Sequence, residues 1–472
     1  MHMDFEKDQR RQNLKVIVSE AFMVVAVILT VIVLAFIVSG YWLNSDFEVK
    51  RQGLLQISSI PTGADINIDG DSSWLQKTNT SKVLSSGEHT VTLSKEGYDT
   101  WTKTVTIKEG LLYRVHYPRL FLSDRVSEKA LAMTGATYAT VSPDHSFIIL
   151  TNETTEWSYI NLNEEHITPK KLDISTIFSN VSIAPEAKTG LFTGTILDVD
   201  WDVNSSHALF KVQSDDGIEW VLLNPKELKN SVNITREFGV DFSDLKIYSN
   251  DANSLLAIQN GNLHKIDVSG RSVSAVLVKD VFDFDYYNNE IFFSALAEAT
   301  AENPETYYIG IFKMNDKVEK QKKISSPVQV AMTKFYEDKY LFTLEKDELT
   351  LYDKTDFSPL LSQKLNFTPT TIKVGHEGEY IILYSGSNIA TFDMESMEIK
   401  EWSVEGESFG WIDNDMIYTF FDGELIVYDF DGLNRRVLSK NVSNHFPAAI
   451  TENRYLYYFS DGYLIREWLI PR

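Results

Sequence analysis

Hydrophobic and polar positions divide the chain into three regimes. From Ala21 to Val38 the run AFMVVAVILTVIVLAFIV contains Thr30 as its one non-apolar residue. As a helix it spans roughly 27 Å, and continuing through Tyr41, Trp42 and Leu43 carries it past a hydrocarbon core of roughly 30 Å. This pattern predicts a transmembrane helix over 21–43. From Leu54 to about Arg119 the runs LLQISSI, ADINIDG, HTVTLSKEGY and KTVTIKEG alternate apolar and polar positions. Period-two alternation between turn residues marks half-buried strands, so 54–119 reads as a small β-sandwich. Beyond it a longer unit recurs: a loop with Asp, Asn or Gly, an aromatic and β-branched strand, a tight turn, and a second strand ending near Asp. HALFKVQSDDGIEWVLLN (207–224) and NDMIYTFFDGELIVYDF (414–430) show it clearly.

Eight such copies occupy the 352 residues from Phe121 to Arg472, about 44 residues each. Four-stranded propeller blades take about 40–45 residues, so 120–472 reads as a β-propeller of eight blades, with seven as the alternative count. The fold class is therefore an all-β ectodomain on a single N-terminal transmembrane helix. The last copy ends after its third strand, at Ile470-Pro471-Arg472. An unclosed ring leaves exposed strand edges, so a segment within Arg119–Met133 is expected to supply the missing outer strand.

Charge orients the anchor. Lys7, Arg10, Arg11 and Lys15 precede it, whereas Lys50 and Arg51 follow behind Asp46 and Glu48. The positive-inside rule makes 1–20 a cytoplasmic tail and 44–53 a linker on the outer side. Val38-Ser39-Gly40 offers a signal-peptidase site, but signal cores run only about 7–15 residues, so a retained, single-pass anchor in the cell membrane is the preferred reading. A net charge of −23 without a long Lys/Arg run excludes nucleic-acid binding through a basic face. The absence of cysteine excludes disulfide stapling and thiol chemistry, and fits a bacterial surface protein better than an animal ectodomain.

Two resemblances sharpen this. Pro61-Thr62-Gly63-Ala64, then Ile68-Asp69-Gly70, Ser86-Gly87-Glu88-His89 and Glu96-Gly97-Tyr98 follow one another as in the PEGA domain, with Thr62 where the name motif has Glu. The segment resembles that family, which implies a surface or spacer module without catalysis. Ser142-Pro143-Asp144 and Asp429-Phe430-Asp431-Gly432-Leu433-Asn434-Arg435-Arg436 resemble turns of WD40-like, TolB-type blades. That likeness implies a fold and no activity. Together they make the chain similar to a PEGA-domain bacterial surface protein with a C-terminal propeller.

Apparent chemical motifs dissolve under their context. Asp65-x-Asn67-x-Asp69-Gly70 opens like an EF-hand loop, but the twelfth position is Gln76 and Ile66 and Ile68 alternate as in a strand, so a strand ending in an Asp-Gly turn is expected. Gly406-Glu407-Ser408-Phe409-Gly410 matches G-x-S-x-G, yet Trp411-Ile412-Asp413-Asn414 leads into another β-repeat, leaving no helix to form a nucleophile elbow. Ser214-Asp215-Asp216-Gly217-Ile218-Glu219-Trp220 resembles a sialidase Asp-box with Gly and Trp one position early, and reads as a hairpin turn. The nine histidines form no metal-binding pattern. No residue is assigned a catalytic, cofactor or metal role, and no cofactor is expected. The longest insertions, Thr176–Gly194 and Ala295–Glu305, mark the expected functional face, and each reads equally as a contact loop or as a simple excursion.

The sequence thus points to a membrane-anchored, extracytoplasmic binding or scaffold protein of the bacterial cell envelope. Its expected partners are membrane lipid through the anchor helix, and an envelope protein or cell-wall polysaccharide at the propeller. The alternative is a propeller enzyme, hydrolase or lyase, acting on cell-wall glycan. A deep funnel with two or three converging carboxylates of raised pKa would favour the enzyme, and a flat or aromatic face would favour binding.

Overall fold

The computed structural model describes residue 20, 22–32, 34–35, 41–43 and 49–472, except 134, 179–180, 183–190, 216, 249–250, 298–305, 315–317, 376–377, 407 and 443–445. The tail expected over 1–20 and the linker expected over 44–53 fall largely outside these residues. Residues 22–32 are helical, with Thr30 Oγ1 donating to the Ala26 carbonyl at 2.8 Å. Among the described residues no helix is long and apolar enough to cross a membrane. The expected span includes 21, 33 and 36–40, which lie outside the described ones. Its far end is corrected, because Tyr41–Leu43 is a strand paired antiparallel with Val49–Arg51. Ser39-Gly40 punctuates the apolar run in sequence, and the aromatic pair after it favours a pleated backbone over another helical turn.

Two compact units follow from the internal contacts, Met1–Ser123 and Asp124–Arg472. The first holds two sheets. Val49–Ile57 lies between Tyr41–Leu43 and Thr80–Ser85 and also pairs in parallel with Leu112–Val115. The second sheet runs in the order Asp71–Lys77, Asp65–Ile68, Gly87–Ser94, Trp101–Ile107. Along Trp101–Ile107 strict alternation puts Trp101, Val105 and Ile107 in the core, where they meet Leu55, Ile57, Ile66, Val91 and Leu93. Close approach of the sheets explains Gly53: a Cβ there would sit 2.5 Å from Ile107 Cγ2 and from the Lys108 carbonyl.

The EF-hand-like stretch is the strand and turn expected. Asp65–Ile68 and Asp71–Lys77 are joined through Asp69 and Gly70, whose φ angles of 54° and 85° suit a two-residue hairpin of the mirror-image type. Its oxygen-bearing side chains are occupied by the fold. Asn67 accepts from Gly70 N–H at 2.9 Å, and Asp69 accepts from Thr90 N–H at 2.8 Å and meets His89 Nδ1 at 2.6 Å. The bond to His89 holds the Asp69 carboxyl below its ordinary pKa.

In the second unit the chain builds eight four-stranded antiparallel sheets in succession, which is a β-propeller. The inner strands of blades 1 to 8 are Ala136–Val141, Thr195–Trp201, Asp244–Tyr248, Val281–Tyr287, Gln329–Phe335, Thr371–Val374, Phe409–Trp411 and Ala449–Thr451. Blade 8 takes its outer strand from the start of the unit, as expected: Ser127–Ala132 pairs antiparallel with Tyr463–Glu467. Arg125 Nε reaches Glu467 at 2.6 Å across this seam, and Arg466 Nε bonds Glu128 at 2.8 Å. Apolar clusters bind blades 1 to 7 in succession and blade 8 to blade 1. One joins blade 1 to blade 2 through Trp157, Phe178, Phe192 and Phe210, and another closes blade 8 on blade 1 through Ile148, Leu150, Tyr457 and Phe459.

The central channel as candidate functional site

An up-and-down meander sends the connection between the second and third strands of each blade to the same face as the connection into the next blade's inner strand. Both long insertions leave from that face, here called the entry face: 174–194 links blade 1 to blade 2, and 297–306 joins the second and third strands of blade 4. The insertion ends are not simple excursions. Phe178 and Phe192 pack on Trp157 with ring centroids 5.0 and 5.1 Å away, and short strands Val181–Ser182 and Leu191–Phe192 pair with one another.

Inner strands of blades 2 to 6 line a cavity of about 670 Å³ along the ring axis. Blades 2 and 4 carry the same pattern there, Leu197-Asp198-Val199-Asp200-Trp201 and Phe282-Asp283-Phe284-Asp285-Tyr286. A bulge at the start of each strand, at 196–198 and 281–283, sets the register, leaves Leu197 and Phe282 half exposed, and sends Phe284 into the core. Blade 3 repeats the pattern with Asp244 and then Lys246 at the second acidic position.

In blade 4 the two carboxylates are engaged. Asp283 Oδ2 accepts from Val330 N–H at 2.8 Å, and Asp285 Oδ2 accepts from Met332 N–H at 2.7 Å. These amides lie on blade 5's inner strand, where no further strand supplies acceptors, so each carboxylate satisfies a donor on the channel-side edge. Lys246 donates to the Phe284 carbonyl at 2.7 Å and stands 3.8 Å from Asp285 Oδ1. In blade 2 the equivalent pair makes no such bonds: among the described residues neither Asp198 nor Asp200 takes part in a hydrogen bond or a close ion pair.

Electrostatics follow from enclosure. Asp200 stays open to channel water, yet strands wall it on every side, and this desolvation pushes its carboxyl up to about 6, with Lys246 opposing and Asp198 reinforcing the rise. Desolvation also pushes Asp283 up to about 6, against Lys246 and the bond from Val330. Asp285 is raised by the same burial. For Lys246, burial alone would lower the ammonium pKa, but Asp285, Asp283, Asp244 and Asp200 hold it above the ordinary value.

The residues singled out from sequence lie elsewhere. Ser408 is exposed at a turn, its carbonyl accepts from Thr419 Oγ1 at 2.7 Å, and the strand Phe409–Trp411 follows it with no helix. Ser214 and Gly217 pair across a hairpin turn, and Gly217 sits at φ 123°. Among the described residues no histidine lines the channel. A larger polar cleft of about 780 Å³ beside the short helix Ile234–Phe238 has Arg271 paired with Glu237 at 2.6 Å and Asp202 bonded to Ser206 and His207. The repeated Asp-x-Asp of blades 2 and 4 was visible in the sequence, but only the fold shows that Asp198, Asp200 and Asp285 line the channel.

No curated protein matches the chain. Among solved structures it is similar to the C-terminal WD40 domain of Sif2, at 12% identity and a TM-score of 0.46, covering 74% of this chain and 99% of that one. It is also similar to Kluyveromyces lactis Hsv2, at 8% identity and 0.41, covering 65% and 98%, and to the computationally designed Ika8 protein, at 9% and 0.41, covering 73% and 100%. The propeller assignment rests on the order of the sheets. Residues 52–119 match the PEGA domain family, as the order of the turns in the first unit led one to expect, so the chain carries a PEGA domain followed by a β-propeller.

Proposed function

We infer that this is a non-catalytic binding or scaffold protein of the bacterial envelope, held at the membrane by residues 21–38 and spaced from it by the PEGA domain. The propeller is its contact surface, for an envelope protein or a cell-wall polysaccharide. The observation that carries this reading is the division of labour between blades 2 and 4. Two of the channel's three raised carboxylates, Asp283 and Asp285, are bound to backbone amides of the neighbouring blade and so serve the ring's structure, which leaves Asp198 and Asp200 as the unengaged pair. Cleaving a glycosidic bond by the usual route takes two carboxyl groups in acid and nucleophile or base roles.

A second reading keeps one supporting fact. Asp200 beside Asp198, held near pH 6, is the kind of carboxyl that serves as a general acid, so a glycan hydrolase or lyase is the competing function. Incubating the full chain with purified cell-wall glycan and measuring new reducing ends or unsaturated ends separates the two. The binding reading expects none above a buffer control. Release that an Asp200→Asn variant abolishes would reverse it. The anchor and its orientation are tested by protease added to wall-stripped cells, which should leave only a short N-terminal stub; protection of residues 49–472 until lysis would reverse the topology.

A further inference from the structure

The channel cavity is walled by charges of both signs. Five aspartates and four lysines line it, and most of them are satisfied by the protein itself. Lys246 bonds the Phe284 carbonyl and stands beside Asp285, whose other oxygen accepts from Met332 N–H. Asp202 accepts from the Ser206 and His207 amides, and Asp244 from Leu245 N–H at 2.9 Å. Lys334 meets Glu337 at 3.2 Å, and Lys211 lies over the Trp220 ring, 4.8 Å from its centroid. Three charges remain. Among the described residues, Asp198 and Asp200 on blade 2 and Lys373 on blade 6 make no hydrogen bond or close ion pair.

These three stand on opposite walls. Blades 2 and 6 are four apart in a ring of eight and so face each other across the axis. Asp198 and Asp200 alternate with Val199 along Thr195–Trp201, and Lys373 lies within Thr371–Val374. The charge of Lys373 reaches Asp200, where it opposes the rise that desolvation causes, yet the two are not in contact. A cavity of about 670 Å³ lies between these walls, a size that takes small molecules. A simple cation would match the two aspartates and be opposed by Lys373, and an anion would match Lys373 and meet the aspartates. A neutral glycan would leave all three unmatched. A single molecule with an ammonium at one end and a carboxylate at the other matches both walls.

We propose that the channel binds a short peptide with free ends, its terminal ammonium on Asp198 and Asp200 and its terminal carboxylate on Lys373. Two or three extended residues separate such charges by roughly 7–10 Å. The peptide thus spans walls that Asp200 and Lys373 do not bridge directly. This site lies inside the ring and goes beyond the binding reading above, which concerns a macromolecular partner at the propeller's contact surface.

The test is calorimetric titration of the full chain in detergent with trialanine, N-acetyl-trialanine and trialanine amide. Trialanine should bind, and blocking either end should weaken it by about tenfold or more. Lys373→Met should weaken trialanine by about tenfold and bind acid and amide alike, and Asp200→Asn should do the same for the free and acetylated peptides. Lys364→Met, on the outer strand of blade 5 and outside the cavity lining, should change nothing. All three variants should melt with the wild type; if one unfolds, the free and blocked peptides on the wild-type chain still decide. Failure of trialanine to bind, equal binding of the three peptides, or discrimination that survives both channel variants overturns the site. Glycan release by the full chain is the separate result that overturns the binding reading.

Discussion

Asp283 shows how one residue serves the ring at a measurable cost. Its carboxyl bonds Val330 N–H, yet desolvation lifts its pKa from 3.8 to about 6. A folded-state value above the unfolded one means that the folded chain holds the proton more tightly. The stability from this site is therefore complete below about pH 4 and is lost as pH rises through about 6. Asp283→Asn keeps an acceptor for Val330 and removes the titration. The wild type should lose more stability than this variant between pH 4 and pH 7, by at most about 3 kcal/mol and less with screening by channel water. Urea denaturation of both chains across that range measures it, and parallel curves would show that Asp283 does not titrate as described. The sequence displayed the Asp-x-Asp pattern twice, but the raised pKa arises from strands far apart in the chain closing around it.

At the scale of elements, the hairpins were legible because two periodicities coincide: alternation within a strand and Asn-Gly, Asp-Gly or similar turns between strands. Asn260-Gly261, Asp422-Gly423 and Asp461-Gly462 each take left-handed φ angles between 50° and 78°, as such turns require. The insertion over 176–194 was less legible. From sequence it reads equally as a contact loop or a simple excursion, whereas Phe178 and Phe192 carry its ends into the core between blades 1 and 2. Only the tertiary partners Trp157 and Phe210 reveal this. Phe178, 2% exposed, should therefore behave as a core residue: Phe178→Ala should cost about 3–5 kcal/mol in equilibrium unfolding. A loss under about 0.5 kcal/mol, the range of surface sites, would return the insertion to a surface role.

For the whole molecule, ring closure and tethering decide what the propeller can present. The seam was readable because the last copy lacked a strand and a spare segment preceded the first. The ion pairs that reinforce it, Arg125 with Glu467 and Arg466 with Glu128, were not, since they join residues more than 300 positions apart. A chain beginning at residue 140 lacks Ser127–Ala132 and exposes strand edges, so it should melt far below a chain lacking only 1–50. Equal melting temperatures would mean that another contact closes the ring. The central claim is that the entry face holds a partner and performs no chemistry. Cross-linking mass spectrometry on the full chain, affinity-captured from its own envelope, tests it most directly. The account predicts reproducible links from one partner to the entry-face hairpins and the 174–194 and 297–306 connections. Links confined to the opposite-face turns around Val203 and Tyr336 would contradict it.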